Sequence, residues 1–209
     1  MKKLFIDNST ILQNTFIFKG FNIHIKNILL ILFGLFFLIL SAKIKIPIPP
    51  VPITLQTLVV LVFAMSVGSK ISSITFIFYL CLGSLSLPVF ANPPYGGPGY
   101  LLGPSGGYLL GMLLSSYIVG LLAENNYDKN YFKSLLAIFI GTIIIFIPGI
   151  LWLTYWFNFY SSAADELNFY LSYSLAIENG LLLYKYTESV KIALAATITP
   201  ILWKYKDKL

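Results

Sequence analysis

The segment that decides the fold reads IPIPPVPITLQ, residues 46–56, and carries four prolines and no charged side chain. Proline fixes φ and lacks a backbone donor, so this run interrupts any helix. A second helix-breaking run follows one helical hairpin later, at 88–104, and includes Gly96-Gly97. Long apolar stretches flank both runs. Irregular backbone near a bilayer is tolerated only where protein or an internal cavity shelters it. The two loops therefore indicate the walls or lid of a small-molecule site.

The composition defines the class of protein. The chain has 209 residues, of which 57% are hydrophobic and 11% are charged. A water-soluble domain of this size would need more polar surface than this. We therefore predict an all-α polytopic membrane protein folded as one bundle of six transmembrane helices.

Six apolar segments account for the predicted spans: 27–42, 53–67, 71–87, 106–123, 134–157 and 187–203. Residues 1–26 are expected to form a cytoplasmic or interfacial lead-in, 27–204 the six-helix unit and 205–209 a cytoplasmic tail. Pro148-Gly149 should kink the fifth span. The segment 158–186 is wetter and is expected to connect the last two spans.

The charges predict an orientation. The net charge is +6, and the basic residues are lysines at the ends of apolar segments, which favours a role in topology over nucleic-acid binding. With both termini in the cytoplasm, ten lysines lie inside and four outside, as the positive-inside rule requires. We therefore expect a multi-pass protein of the cell membrane with its two special loops facing the exterior.

Several kinds of chemistry are missing. The chain has no G-x-x-x-x-G-K-[ST] phosphate loop, and His24 is its single histidine. Zinc sites of the H-E-x-x-H type and Ser-His-Asp triads are therefore not expected. We predict a protein that is not an enzyme and that needs neither a metal nor another cofactor.

The strongest polar pair lies at the start of the last span. Glu188 and Lys191 are three residues apart, so they share one helical face. One interpretation is an ion pair at the outer surface, with Lys191 extended toward water. The other is a ligand site, because ionisable residues in membrane segments are uncommon and usually functional. The two interpretations are about equally supported by the residues alone.

Other polar residues are weaker candidates. Gln56 would either bind a ligand amide or cap its own helix. Tyr95, Tyr100 and Tyr108 offer an apolar ring with a hydroxyl at its tip, although such residues also anchor proteins at the membrane interface. The small residues Gly107, Gly111 and Ser115 predict a face for close helix packing.

The motifs together resemble one family. The run from Ile46 to Leu58, the stretch 79–90 with Leu87-Pro88-Val89-Phe90, the pair Gly96-Gly97 and the run 102–108 occur in the order and spacing typical of BioY proteins. These are the biotin-specific substrate-binding (S) components of energy-coupling factor (ECF) transporters. The resemblance is strong over about residues 44–122.

The resemblance implies a ligand, partners and site residues. The ligand would be biotin, and the partners a transmembrane coupling subunit and paired ATP-binding subunits, with a homo-oligomer also possible. Glu188 falls on the family's aspartate and Lys191 on its lysine, within an otherwise divergent last third. Lys191 would meet the biotin carboxylate, and aromatic rings would hold the bicyclic part. The residues implied in binding are Gln56, Phe90, Asn92, Tyr95, Gly96, Gly97, Tyr108, Glu188 and Lys191.

Departures from the family pattern leave questions open. The family's loop asparagine precedes the Gly-Gly pair, where this chain has Tyr95, with Asn92 three residues earlier. Either residue would take that role. The small residues expected on span 1 for docking the coupling subunit reduce to Gly34 and Ala42, with Leu38 between them. The alternatives are an S component for another vitamin or a biotin precursor, a small intramembrane transferase, and a membrane scaffold or assembly factor.

Overall fold

A computed structural model describes residues 10–14, 22–160 and 168–205. The described residues form nine α-helices, which pack in one bundle. They are α1 (Ile11–Asn14), α2 (Ile23–Lys43), α3 (Gln56–Val67), α4 (Ser69–Ser84), α5 (Pro98–Leu101), α6 (Gly106–Glu124), α7 (Tyr131–Tyr160), α8 (Phe169–Gly180) and α9 (Lys185–Tyr205). Helices occupy the six predicted spans, so the predicted helical bundle is confirmed. The lysines and acidic residues of 1–9, 15–21, 161–167 and 206–209 lie outside the described residues.

The surface of the bundle has the character that lipid requires. Within the described ranges, α2, α6 and α7 are long and apolar enough to cross a membrane by length and composition, and α3 and α4 are shorter apolar helices. Large apolar side chains project outward along α2, where Phe36 is 61% exposed and Leu32 is 57% exposed. Such exposure is normal for a helix that faces hydrocarbon, because lipid does not drive apolar side chains inward.

The short helix α3 lies at the centre of the bundle. Nine of its twelve residues are buried, among them Gln56, Thr57, Val60, Ala64 and Met65. Twelve helical residues rise about 18 Å, which is less than the hydrocarbon thickness of about 30 Å. The helix therefore ends inside the bundle, and the loop before it folds down to meet it.

Small residues line the most extensive helix contact, between α6 and α7. A Cβ at Gly111 would come within 2.6 Å of the Ile145 carbonyl oxygen, and one at Gly107 within 2.4 Å of the Pro148 oxygen. Ser115 is fully buried on the same face. The predicted packing face of the fourth span is thus confirmed. The helix α7 continues through Pro148 to Tyr160.

One helix was missed. The segment expected to be a wet connection contains α8, which starts behind an Asn168 side chain that accepts from the Leu171 amide at 2.8 Å. Its buried face consists of Ser172, Ala176 and Gly180. Small and polar residues give little apolar signal in the sequence, although their spacing of four is that of one helical face.

The first helix-breaking loop is also more ordered than its composition predicts. Lys45–Ile46 (β1) and Ile53–Thr54 (β2) pair as antiparallel strands, with Lys45 opposite Thr54. This hairpin folds the proline run back over the bundle.

At the opposite end of α3, the Glu124 carboxylate accepts from the amide and hydroxyl of Ser69, at 2.7 and 2.8 Å, and so caps α4.

The small residues on α2 face inward. Gly34, Leu38 and Ala42 are buried, and a Cβ at Gly34 would come within 2.4 Å of the Phe63 ring. The stripe considered for docking a partner thus packs α2 against α3 within this chain.

Candidate functional site

Two lysines join the helix-breaking loops at one end of the bundle. Lys43 Nζ donates to the Phe90 carbonyl at 2.6 Å. Lys45 Nζ donates to the Ala91 carbonyl and to Asn92 Oδ1, the latter at 2.7 Å. All these acceptors are neutral, so neither of these hydrogen bonds neutralises a lysine charge. The loop 46–56 and the loop 88–104 therefore form one structure, which supports the prediction that they shape a common site.

The predicted residues Tyr95, Gly96 and Gly97 shape the second loop. Tyr95 and Gly97 have positive φ angles of 63° and 96°. A Cβ at Gly96 would come within 2.4 Å of a backbone oxygen of the same loop. The Tyr95 ring lies beneath both lysine ammonium groups, at 4.7 and 5.4 Å from its centroid. None of these three residues lines the cavities described next.

An inner cavity of about 40 Å³ lies beneath the joined loops. The first loop, α3, α4, the second loop and α6 all contribute to its wall. Its lining residues are Val51, Pro52, Thr54, Gln56, Tyr79, Phe90, Ala91, Tyr100, Ser105, Tyr108, Leu109 and Met112. Ligand pockets usually measure roughly 300–1,000 Å³. The inner cavity is therefore much smaller than a usual ligand pocket and has room for only a few atoms.

An outer cavity of about 170 Å³ adjoins it. Pro50, Asn92 and Gly103 contribute to its wall, and Tyr100 and Ser105 line both cavities. The Tyr100 ring stacks on Phe90, with centroids 4.5 Å apart and planes inclined by 15°. The Tyr100 ring therefore lies at the boundary between the two spaces. Even together, the two cavities remain smaller than a usual ligand pocket.

The pair Glu188–Lys191 is buried beside the first loop. The two residues are 6% and 8% exposed, and their charged atoms are 2.5 Å apart. Lys191 Nζ also donates to the Thr54 carbonyl at 2.6 Å and to the Thr57 hydroxyl at 3.1 Å. The expectation of a surface ion pair with Lys191 extended toward water is wrong, because the ammonium points into the bundle. Its three donors are all used.

A tyrosine extends this network. The Tyr184 hydroxyl donates to the Val51 carbonyl. Thr57 Oγ1 donates to the Glu188 carboxylate at 3.1–3.2 Å. Tyr184, just before α9, therefore holds the cavity wall at Val51, and Lys191 on α9 holds it at Thr54.

The predicted site residues divide into groups. Gln56, Phe90 and Tyr108 line the inner cavity, and Asn92 lines the outer one. Glu188 and Lys191 lie behind Thr54, and Lys191 holds its carbonyl. Tyr100, one of the three loop tyrosines considered, lines both cavities, whereas sequence reasoning did not single out Tyr79 or Met112 as lining residues, or Lys43 and Lys45 as loop contacts. The alternation of Lys43 and Lys45 immediately before the proline run was the available signal for the latter.

Catalytic and metal chemistry is poorly represented. Within 10–14, 22–160 and 168–205, no three side chains of His, Cys, Asp or Glu approach closely enough to hold a metal ion. The cavity wall offers aromatic rings, an amide and hydroxyls, which suit reversible binding of a small molecule.

Comparisons with known proteins agree with this picture. The sequence profile of the BioY family matches residues 12–208. A biotin transporter BioY from Thermotoga maritima is 36% identical over 162 residues, which cover 77% of this chain and 86% of the relative. A biotin transporter BioY2 from Lactococcus lactis is 30% identical, over 71% of this chain and 80% of the relative.

A solved structure is also similar. It is the crystal structure of an S-component for biotin from an ECF-type ABC transporter, and it superposes with a TM-score of 0.70 at 26% identity. The match covers 87% of this chain and 92% of that one. The family match over nearly the whole sequence, supported by a similar fold, shows that this chain belongs to the BioY family.

Proposed function

We propose that this chain is a membrane-embedded substrate-binding subunit that captures biotin from the exterior and mediates its uptake. The observation that carries the proposal is the pair of adjoining cavities beneath the two joined loops, in a member of the BioY family. The names of the similar proteins supply the ligand, and the fold supplies a matching enclosure.

Biotin would enter the two cavities in one order, with its bicyclic head innermost. Its bicyclic head presents apolar faces that suit the aromatic rings of Phe90 and Tyr108 in the inner cavity. Its chain would then pass Tyr100 into the outer cavity, where Asn92 contributes to the wall. Because the inner cavity measures about 40 Å³, Tyr100 must move before the head can enter.

The carboxylate of biotin requires a cation, and two positions compete for it. Lys191 already pairs with Glu188, and drawing it away would leave a buried carboxylate uncompensated, at a cost of roughly 3–5 kcal/mol. Lys45 holds only neutral acceptors and contacts Asn92 beside the outer cavity. We therefore favour Lys45, supported by Lys43, over Lys191 as the partner of the carboxylate.

Orientation and partners follow from the same proposal. Both termini would lie in the cytoplasm, and the joined loops would face outside, in keeping with the lysine distribution. Since the sequence lacks a phosphate loop, energy would come from a coupling subunit and ATP-binding subunits. The outer face of α2, which carries Phe33, Phe36 and Phe37, would meet lipid or that partner.

Equilibrium binding to the detergent-purified protein tests the proposal. The wild type should bind biotin one-to-one, and Lys45→Ala should weaken biotin but leave biotin methyl ester unchanged. Lys185→Ala, which removes an exposed charge at the same end of the bundle, is the matched control and should change neither ligand. If Lys191→Ala rather than Lys45→Ala separates the two ligands, the carboxylate belongs at Lys191. Absence of biotin binding by folded wild type would disprove the biotin assignment.

A further inference from the structure

Gln56 places a buried side-chain amide in the wall of the inner cavity. Gln56 is the first residue of α3, is 3% exposed and lines the inner cavity. Its Nε2 atom is buried and has no hydrogen-bond partner in the described part of the chain. A buried amide donor without a partner costs about 1–3 kcal/mol, so such groups are rare in folded proteins. The alternative that Gln56 caps its own helix is not what this geometry shows.

The neighbouring hydroxyls do not need this donor. The Tyr79 hydroxyl lies near the Gln56 amide without the geometry of a hydrogen bond, and it donates to the Val89 carbonyl at 3.2 Å. The Tyr108 hydroxyl donates to the Gly180 carbonyl at 2.9 Å. The Tyr100 hydroxyl accepts from the Asn92 amide at 3.4 Å. The Tyr79 and Tyr108 hydroxyls are thus committed to backbone carbonyls, whereas Gln56 Nε2 is a buried cavity donor without a partner among the described residues.

We infer that Gln56 determines specificity by donating a hydrogen bond from Nε2 to a carbonyl oxygen on the end of the ligand that enters the inner cavity. This inference rests on the proposed function. In biotin the acceptor is the ureido carbonyl, the only strong acceptor on the bicyclic head. A head that lacks this oxygen would leave the amide buried and unpaired, and a site built in this way rejects such analogues strongly.

A pair of analogues isolates this contact. Iminobiotin replaces the ureido oxygen by a nitrogen group that donates, whereas desthiobiotin keeps the carbonyl and lacks the sulfur. Competition binding on wild type, Gln56→Glu and Gln56→Met measures all three ligands. The wild type should prefer biotin to iminobiotin by about tenfold or more, as expected for one buried unpaired group. In Gln56→Glu, an acceptor replaces the donor and the preference should shrink or reverse.

Gln56→Met provides an independent test in case the buried carboxylate of Gln56→Glu prevents folding. Gln56→Met removes the donor at similar size, and it should weaken biotin and desthiobiotin by the same factor, about tenfold, while iminobiotin changes little. Thermal unfolding without ligand confirms that each variant is folded.

The failures are distinguishable. If wild type binds biotin but the ratio of biotin to iminobiotin affinity is the same in all variants, Gln56 does not recognise the carbonyl and the proposed function stands. If the variants change the affinity for biotin relative to biotin methyl ester instead, Gln56 contacts the carboxylate end, and the inference is overturned. If folded wild type does not bind biotin, the proposed function and this inference both fall.

Discussion

Removing the charge of Glu188 should destabilise the bundle strongly, because the Lys191 ammonium would remain buried without its counter-ion. The two groups are 2.5 Å apart and less than a tenth exposed, so water and salt screen the pair poorly. Breaking a pair of this kind by removal of one partner costs roughly 3–5 kcal/mol. For a chain of this size, 1 kcal/mol corresponds to about 2–4 °C in Tm, so Glu188→Gln should lower Tm by about 6–20 °C.

The assay is thermal unfolding of the ligand-free protein in detergent, followed by circular dichroism at one heating rate. Glu178→Gln on α8 is the matched control, since it makes the same chemical change at an exposed carboxylate and should stay within about 0.5 kcal/mol of wild type. The double replacement Glu188→Met with Lys191→Met should recover most of the loss, because no unpaired charge remains.

The result that would refute this reasoning is a Tm for Glu188→Gln within about 2 °C of wild type. A loss that small corresponds to less than about 1 kcal/mol, which is typical of exposed ion pairs. The pair would then be hydrated in the membrane-embedded protein, and Lys191 would again be available to a ligand carboxylate.

Three further predictions concern the loops, the helix packing and pH. Tyr100→Ala should raise the association rate of biotin in stopped-flow measurements, because the ring between the two cavities is gone. Tyr100→Phe keeps the stack on Phe90 and should not raise this rate. Equal association rates in the two variants would show that the Tyr100 ring does not control entry. Gly149→Ala should lower stability by about 1–3 kcal/mol, since its Cβ would lie 2.4 Å from the Tyr108 ring. Gly99→Ala is the control, because a Cβ there would meet nothing within 4 Å. Similar losses of Tm in the two variants would contradict this explanation. Burial raises the pKa of Asp128 to about 6, so the folded state binds more protons than the unfolded state between about pH 4 and 6, and stability should fall as pH rises through that window. Asp128→Asn should flatten this part of the pH profile of Tm while it keeps an oxygen for the Trp203 indole N–H, and an unchanged profile would assign the effect to other groups.

Sequence reasoning succeeded where the signal was long and apolar. The spans at 106–123 and 134–157 match α6 and α7 closely because about twenty apolar residues in a row leave few alternatives. The helix α8 was missed because its buried face is Ser172, Ala176 and Gly180, which pack by being small. The hairpin of β1 and β2 was missed because two-residue strands have no detectable alternation.

The candidate site was predictable only in part. Gln56, Phe90 and Tyr108 stand out by their place in or beside unusual motifs, and all three line the inner cavity. Tyr79 and Met112 lie within ordinary-looking apolar helices, and only the packing reveals that they face the same space. The partners of Lys191 were not predictable either, since Thr54 and Thr57 are more than 130 residues away along the chain.

The double attachment of the segment 184–191 to the first loop has a consequence for redesign of the binding site. Tyr184 and Lys191 hold the wall at Val51 and at Thr54, so the strip 51–54 is held at both ends by the turn before α9 and by α9 itself. The opposite wall, from Phe90 to Ser105, is attached through exposed or half-buried lysines, a stacked ring, and two hydrogen bonds at Gly97 and Gly103. Variation in that opposite wall would alter which molecules are accepted without loosening the helical framework. Libraries for new ligands should therefore diversify the lining positions Ala91, Tyr100 and Ser105, and keep 51–57 and the pair Gly96-Gly97 constant.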